Sequence, residues 1–436
     1  MDVKNSVVPR HLILPFILVT SLFALWGFAN DITNPMVAAF KNILLISNFE
    51  SSLVQFAFYG GYCVMAFPAA LFIKRFSYKS GILMGLALYT LGCFLFLPSS
   101  WLESFSAFLI AYFIMTCGLS FLETSSNPYI LAMGPEETST RRLNLAQSFN
   151  PIGSLIGMLT AKELILAKLN PTNEAARQIL AQTDPSAFAK IREHDLAIIS
   201  GPYIALGVMV LVFLIVFIIA RLPKTKEESG KSLDLGGTLR RLWRNKKYIE
   251  GVVAQTFYVG AQIMCWTFII QYAGDALGMS KAEAQNYNMI AMVIFVSSRF
   301  VCTHLLKYFS PGGLLLTLAS MAAMLIVGAI FKTGMGGLWC LVGVSACMSL
   351  MFPTIYGIAL KGLGDDAKLG SAGLIMAIGG GCIMTPLQGL IMDQRALDLG
   401  FMTLSSVRAS FVLPLICFIL IAHFGYRTSK IHKHFG

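Results

Sequence analysis

With 436 residues, 56% of them hydrophobic and only 13% charged, the chain carries about half the charge of a soluble domain. One water-surrounded core could not hide that much apolar surface, which excludes a soluble globular protein. The net charge of +11 would suit a nucleic-acid partner, but the Lys and Arg residues sit in the stretches between apolar blocks, which excludes nucleic acid and points to membrane orientation.

Apolar blocks of about the 20 residues that a helix needs to cross a bilayer predict an all-α membrane protein of about twelve spans. They lie near 12–36, 51–73, 80–98, 105–133, 143–168 and 199–221, then near 248–273, 283–306, 312–331, 336–361, 370–393 and 408–425. The N-terminus is basic and then apolar past Trp26 without a small-residue cleavage site, so an uncleaved first span is expected. Roughly two thirds of the 33 Lys and Arg fall on the side holding both termini and the central loop, which the positive-inside bias places in the cytoplasm.

The first span holds "LWGFANDITNPMV", in which Asn30, Asp31 and Asn34 can share one helical face. A charge buried in a span costs several kcal/mol, so Asp31 either serves a function or ends the span in the outer headgroups. The fourth span, "GLSFLETSSNPYILAMG", places Glu123 among apolar residues with Asn127 at i+4. A carboxyl in low dielectric can be held neutral and reload on exposure to water, which suits proton coupling. The alternative is a structural hydrogen bond between helices. In the fifth span, "RRLNLAQSFNPIGS", Asn144, Gln147 and Asn150 recur every three residues. Amides donate and accept, as sugar hydroxyls do; they also bind helices to one another.

The stretch 222–247 is the long charge-rich interruption; the spacing of Leu235, Leu239, Leu242 and Trp243 suits a helix on the membrane surface, and a plain solvated linker is the alternative. It separates an N-terminal six-helix bundle (1–221) from a C-terminal one (248–436). In the second, "VAQTFYVGAQIMCW" puts Gln255, Gln262 and Trp266 near one face, a mixture suited to carbohydrate. Arg299 in the eighth span suits snorkelling or pairing better than substrate contact. The halves echo each other: "FIKRFSYKSG" matches "LLKYFSPGG", and "NPYILAMGPEE" matches "FPTIYGIALKGLG". Two related bundles imply a pseudo-two-fold axis and a carrier working by alternating access. No nucleotide-binding, metalloprotease or nucleophile-elbow motif occurs, and the nine Cys lack CxxC spacing. No enzyme, metal or cofactor is expected.

Through "SLVQFAFYGGY", "FIKRFSYKSGI", "FLETSSNPYI", "GPEETSTRRLNLAQSFNPIGS", "AQIMCW" and "FPTIYGIALKGLG" the chain resembles, nearly end to end, the fucose/galactose/glucose–proton symporter family of the major facilitator superfamily, and most closely its L-fucose-transporting branch. The resemblance implies uptake of L-fucose or a related sugar with protons as co-substrate, by a protein of the bacterial inner membrane. Glucose or galactose is the alternative substrate, and a non-transporting membrane sugar sensor the alternative class. The expected partners are a monosaccharide, protons and membrane lipid, with the chain a monomer. It implies that Glu123 recognises substrate and couples protons, and that Asn127, Gln147 and Asn150 line the cavity. Better-known members carry the first-span acid at the position of Asn34; here the acid is Asp31, one turn earlier, which either serves the same role from the same face or leaves coupling to Glu123 alone. The expected site is therefore Glu123 and Asp31 for coupling, with Asn30, Asn34, Glu123, Asn127, Gln147, Asn150, Gln262 and Trp266 for sugar.

Overall fold

The computed structural model describes residues 8–134, 142, 145–147, 149–223, 235–305, 308–363, 366–398 and 403–432. Asn144 of the amide row lies outside them. The helices begin with α1 (Ile13–Thr33), α2 (Met36–Leu44), α3 (Asn48–Arg75), α4 (Tyr78–Phe94), α5 (Phe96–Trp101) and α6 (Phe105–Ala132). They continue with α7 (Phe149–Thr160), α8 (Glu174–Thr183), α9 (Pro185–Ile219), α10 (Leu235–Arg244), α11 (Lys246–Thr267), α12 (Ile269–Leu277) and α13 (Lys281–Leu305). The last are α14 (Pro311–Phe331), α15 (Met335–Met348), α16 (Met351–Leu360), α17 (Ala367–Met376), α18 (Gly380–Met392), α19 (Ser406–Ser410) and α20 (Val412–His432). Strands β1 (Leu397–Asp398) and β2 (Thr403–Leu404) pair antiparallel.

Among the described residues, nine helical stretches are long and apolar enough to cross a membrane, ten when α11 and α12, bent by 43°, count as one span. The predicted fifth and eighth spans are missing from that count for different reasons. The fifth runs partly outside the described residues; α7 and a π-helical turn at Ala161–Leu166 are its described part. The eighth, α13, has 25 residues, but Gln285, Asn288, Ser297, Ser298 and Arg299 dilute its apolar content. The first span reaches Leu44, with a break where Pro35 starts a new helix at Met36. The sixth begins at Pro185, not near 199, so residues 185–198, expected between spans, are helical.

Polar residues start these helices. Ser77, Ser104, Asn173, Asp184, Asn245 and Ser310 each accept a first-turn N–H at the head of α4, α6, α8, α9, α11 and α14.

Two compact units result: Met1–Thr33 with Gly60–Leu233, and Asn34–Tyr59 with Asp234–Gly436. The core of the first rests on close helix contact. A Cβ on Gly27, Gly153 or Gly157 would collide with the backbone of Asn150, Ala24 or Phe28, so these glycines let α1 and α7 touch backbone to backbone. The buried Tyr89 hydroxyl donates to Leu25 O (3.0 Å), tying α4 to α1. Tyr112 donates to the Tyr203 hydroxyl (2.9 Å), which reaches Thr33 Oγ1, and Phe96 stacks on Tyr203 at 4.0 Å. Outside the spans, α8 is held on α9 by Arg177, whose guanidinium meets Asp195 and the carbonyls of Asn170 and Thr172, with both charged side chains fully buried.

In the second unit, Tyr258 and Tyr272 donate to Met348 O and Ala329 O. The helix α10 is amphipathic, as its spacing predicts: Leu242 packs with Tyr248, Ala359 and Leu374, while Leu239 and Trp243 face outward. Beside it, hydrogen bonds from Arg241 hold the Asp366 carboxyl below the usual carboxylate range.

Candidate functional site

The first unit gathers most of the expected residues. α6 carries Glu123, half-buried, and among the described residues its carboxylate has no hydrogen-bond or ion-pair partner. One turn on, Asn127 Nδ2 donates to Glu123 O (3.1 Å), which fixes the Asn127 side chain along the helix. Asn127 Oδ1 in turn accepts from Gln147 Nε2 at 3.4 Å, a long contact that leaves the exposed Gln147 amide able to exchange partners. Asn150 Nδ2 points to Phe23 O of α1 at a similar 3.4 Å. The polar row Glu123–Asn127–Gln147 thus joins α6 to the fifth span, and Asn150 continues it to α1.

On α1, Asp31 is buried at 4% exposure, and the candidate span continues past it to Leu44. The buried Asn30 Oδ1 and, on α6, Thr124 Oγ1 lack a hydrogen-bond partner among the described residues. A buried acceptor or hydroxyl left so costs about 1–3 kcal/mol unless something polar arrives.

The remaining residues belong to the second unit. Asn34 packs in the second unit, where its Oδ1 accepts from Gln55 Nε2 (3.0 Å). Gln55 Nε2 also donates to Thr267 Oγ1 (3.1 Å), and the Gln55 side chain is fully buried. Trp266 is committed to packing: its indole N–H donates to Ser345 Oγ (3.0 Å) and its ring meets Phe295 edge-on at 5.1 Å. Gln262, one turn before it, is half-buried without a hydrogen-bond partner among the described residues. Gln255 is fully buried with both amide atoms unpartnered among the described residues. Arg299 Nε donates to Ser349 O (3.2 Å), and its guanidinium lies 5.1 Å from the Phe295 ring centre.

Gln55 and the buried α13 amides Gln285 and Asn288 are polar positions that sequence reading passed over. Each was visible as an amide inside an apolar block, the same signal that marked Gln147.

Among the described residues no cation meets the half-buried Glu123 carboxylate, and an amide row leads from it across three spans. The family model described as Major Facilitator Superfamily matches residues 19–372. The chain belongs to the Major Facilitator Superfamily. Within it, an L-fucose-proton symporter of Haemophilus influenzae is 53% identical over 430 residues, covering 98% of this chain and 99% of the relative. An L-fucose-proton symporter of Escherichia coli strain K12 is 34% identical over 98% of this chain and 96% of its own length. Among solved structures, the superfamily transporter FucP in the outward conformation matches with a TM-score of 0.72 at 34% identity, covering 96% of this chain and all of that one. These superfamily relatives are transporters, not enzymes.

Proposed function

We propose that this chain takes up L-fucose together with protons across the bacterial inner membrane by alternating access, with both termini cytoplasmic. The observation that carries the reading is full-length identity of 53% to an L-fucose-proton symporter, on a chain whose Glu123 carboxylate, without a partner among the described residues, sits at the head of an amide row. No cofactor takes part; the proton is a co-substrate. The partners are the sugar, protons and membrane lipid, and the working form is a monomer.

Sugar hydroxyls need donors and acceptors without net charge, which Asn30, Asn127, Gln147 and Asn150 supply. Glu123 receives the proton, which lets a neutral carboxyl donate to a hydroxyl and removes the cost of a bare charge during the transition. Release to the far side follows when the site opens to water and the carboxyl ionises again. Asp31, buried one turn before Asn34, supplies the second titrating group. A proton shifts a two-state carrier only through different affinity in the two states, and each charge crossing 100 mV contributes about 2.3 kcal/mol. Asn34, Gln262 and Trp266 act from the second unit, where Trp266 serves through its packing and Gln262 through its open amide.

The test is a panel of unlabelled sugars competing with labelled L-fucose for uptake by cells expressing the chain. L-fucose should compete best. Stronger competition by glucose or galactose would move the assignment to those hexoses, and absence of any sugar uptake would leave the sensor reading.

A further inference from the structure

One stripe of α3, Asn48, Ser52, Gln55 and Tyr59, runs at helical spacing along the part of that helix that belongs to the second unit. At its start the carboxylate of Asp393, the residue just beyond α18, accepts three hydrogen bonds. Oδ1 takes Asn48 N and Asn48 Nδ2, and Oδ2 takes Phe49 N, each at 2.8 Å. The acid comes from 345 residues away and sits on the positive end of the helix dipole. Further along, a Cβ on Gly389 would lie 2.7 Å from Asn48 O and 2.9 Å from Ser52 Oγ, and one on Gly381 would lie 3.0 Å from the Tyr59 ring. Gln55 completes the stripe through Thr267.

The head of α3 also has a local cap. Glu50 N donates to Ser47 Oγ (3.0 Å) and Ser47 N to Glu50 Oε2 (2.8 Å), a reciprocal capping box. The helix therefore keeps its first turn when Asp393 leaves, and water can take the two freed N–H groups, since Asp393 is exposed. Beyond Tyr59 the same helix enters the first unit, where Gly61 lies against Phe113 O and Thr116 of α6. One continuous helix is thus shared between two units that a carrier must move.

We propose that Asp393 is a releasable latch: on α3 it holds α2 and the first half of α3 on the second unit, and its release lets that segment leave with the rest of α3 during the transport cycle. The Asp393 contacts suit release, because the acid is exposed and holds only the first-turn N–H groups and the Asn48 amide, with Gly389 and Gly381 of α18 facing the stripe beyond them. Asp393 touches neither sugar nor proton site and is a positioning residue for the transport conformations. The proposal rests on the carrier reading above.

The experiment uses the full chain in proteoliposomes, with the nine native cysteines replaced and a thiol introduced by Ser52→Cys under the latch. Labelling by a membrane-impermeant maleimide should quicken modestly with Asn48→Ala. It should quicken roughly tenfold with Asp393→Asn, the size set by losing hydrogen bonds to a charged group. Sugar KM and maximal uptake should both fall with Asp393→Asn as the released state gains population, which a merely structural cap would not produce. Wild-type labelling and kinetics in folded Asp393→Asn would overturn the latch. If that variant fails to reach the membrane, unchanged labelling with Asn48→Ala overturns it instead. Faster labelling in a protein that takes up no L-fucose would support the latch and refute the substrate, so the two readings fail separately.

Discussion

A carboxylate that no cation neutralises in a membrane span is held there only if it spends part of its time protonated or against a ligand. Among the described residues Glu123 meets that description, and Glu123→Gln mimics its protonated form at constant size. The expected outcome is normal exchange of L-fucose between equal pools in counterflow, with loss of accumulation driven by a pH gradient; retention of accumulation would make Glu123 structural. Asp31→Asn should abolish accumulation, and adding Asn34→Asp should restore part of it, because Asn34 lies one turn on and its acceptor oxygen already takes the Gln55 amide. Accumulation at wild-type level in Asp31→Asn would remove Asp31 from coupling. Gln147→Ala should raise the sugar KM by the equivalent of about 0.5–1.5 kcal/mol without lowering thermal stability, since the side chain is exposed. Asn150→Ala should raise KM and also loosen the α1–α7 contact, read as a lower melting temperature. This row was legible because Glu123, Asn127, Gln147 and Asn150 break apolar runs at helical spacing. The engagement of Trp266 with Ser345 was not, because 79 residues separate the partners.

At the scale of elements, apolar blocks revealed most spans but hid what polar stretches do. Residues 186–198 read as loop by composition, yet they form the first turns of α9, because the buried Arg177–Asp195 pair lets α8 cover their polar face. Removing one partner of a buried pair leaves the other charge stranded. Arg177→Ala should therefore destabilise the protein by about 3–5 kcal/mol, seen as an early melting transition, while uptake per folded molecule stays unchanged. Uptake falling in proportion to nothing but site occupancy, with melting unaltered, would place Arg177 in the transport path instead. The surface helix α10 was legible from its Leu and Trp spacing, whereas its tie to Asp366 was not. That carboxyl is held low, so the tie contributes above the ordinary carboxylate range and is lost as pH falls through its depressed value.

For the whole molecule, the chain forms two compact units, and in the second, α2 and the first half of α3 pack with the later half of the sequence. Hydrophobic periodicity could not reveal this, because Asn48 meets Asp393 and Gln55 meets Thr267 across 345 and 212 residues. Membership of the superfamily and the full-length likeness to L-fucose-proton symporters converge on one claim, that sugar and proton enter together. The direct measurement is the external pH of a lightly buffered suspension of energy-depleted cells expressing the chain, recorded as L-fucose is added. The account predicts a transient alkalinisation that a protonophore abolishes and that Glu123→Gln cells lack. Entry of labelled L-fucose without any pH change would contradict it.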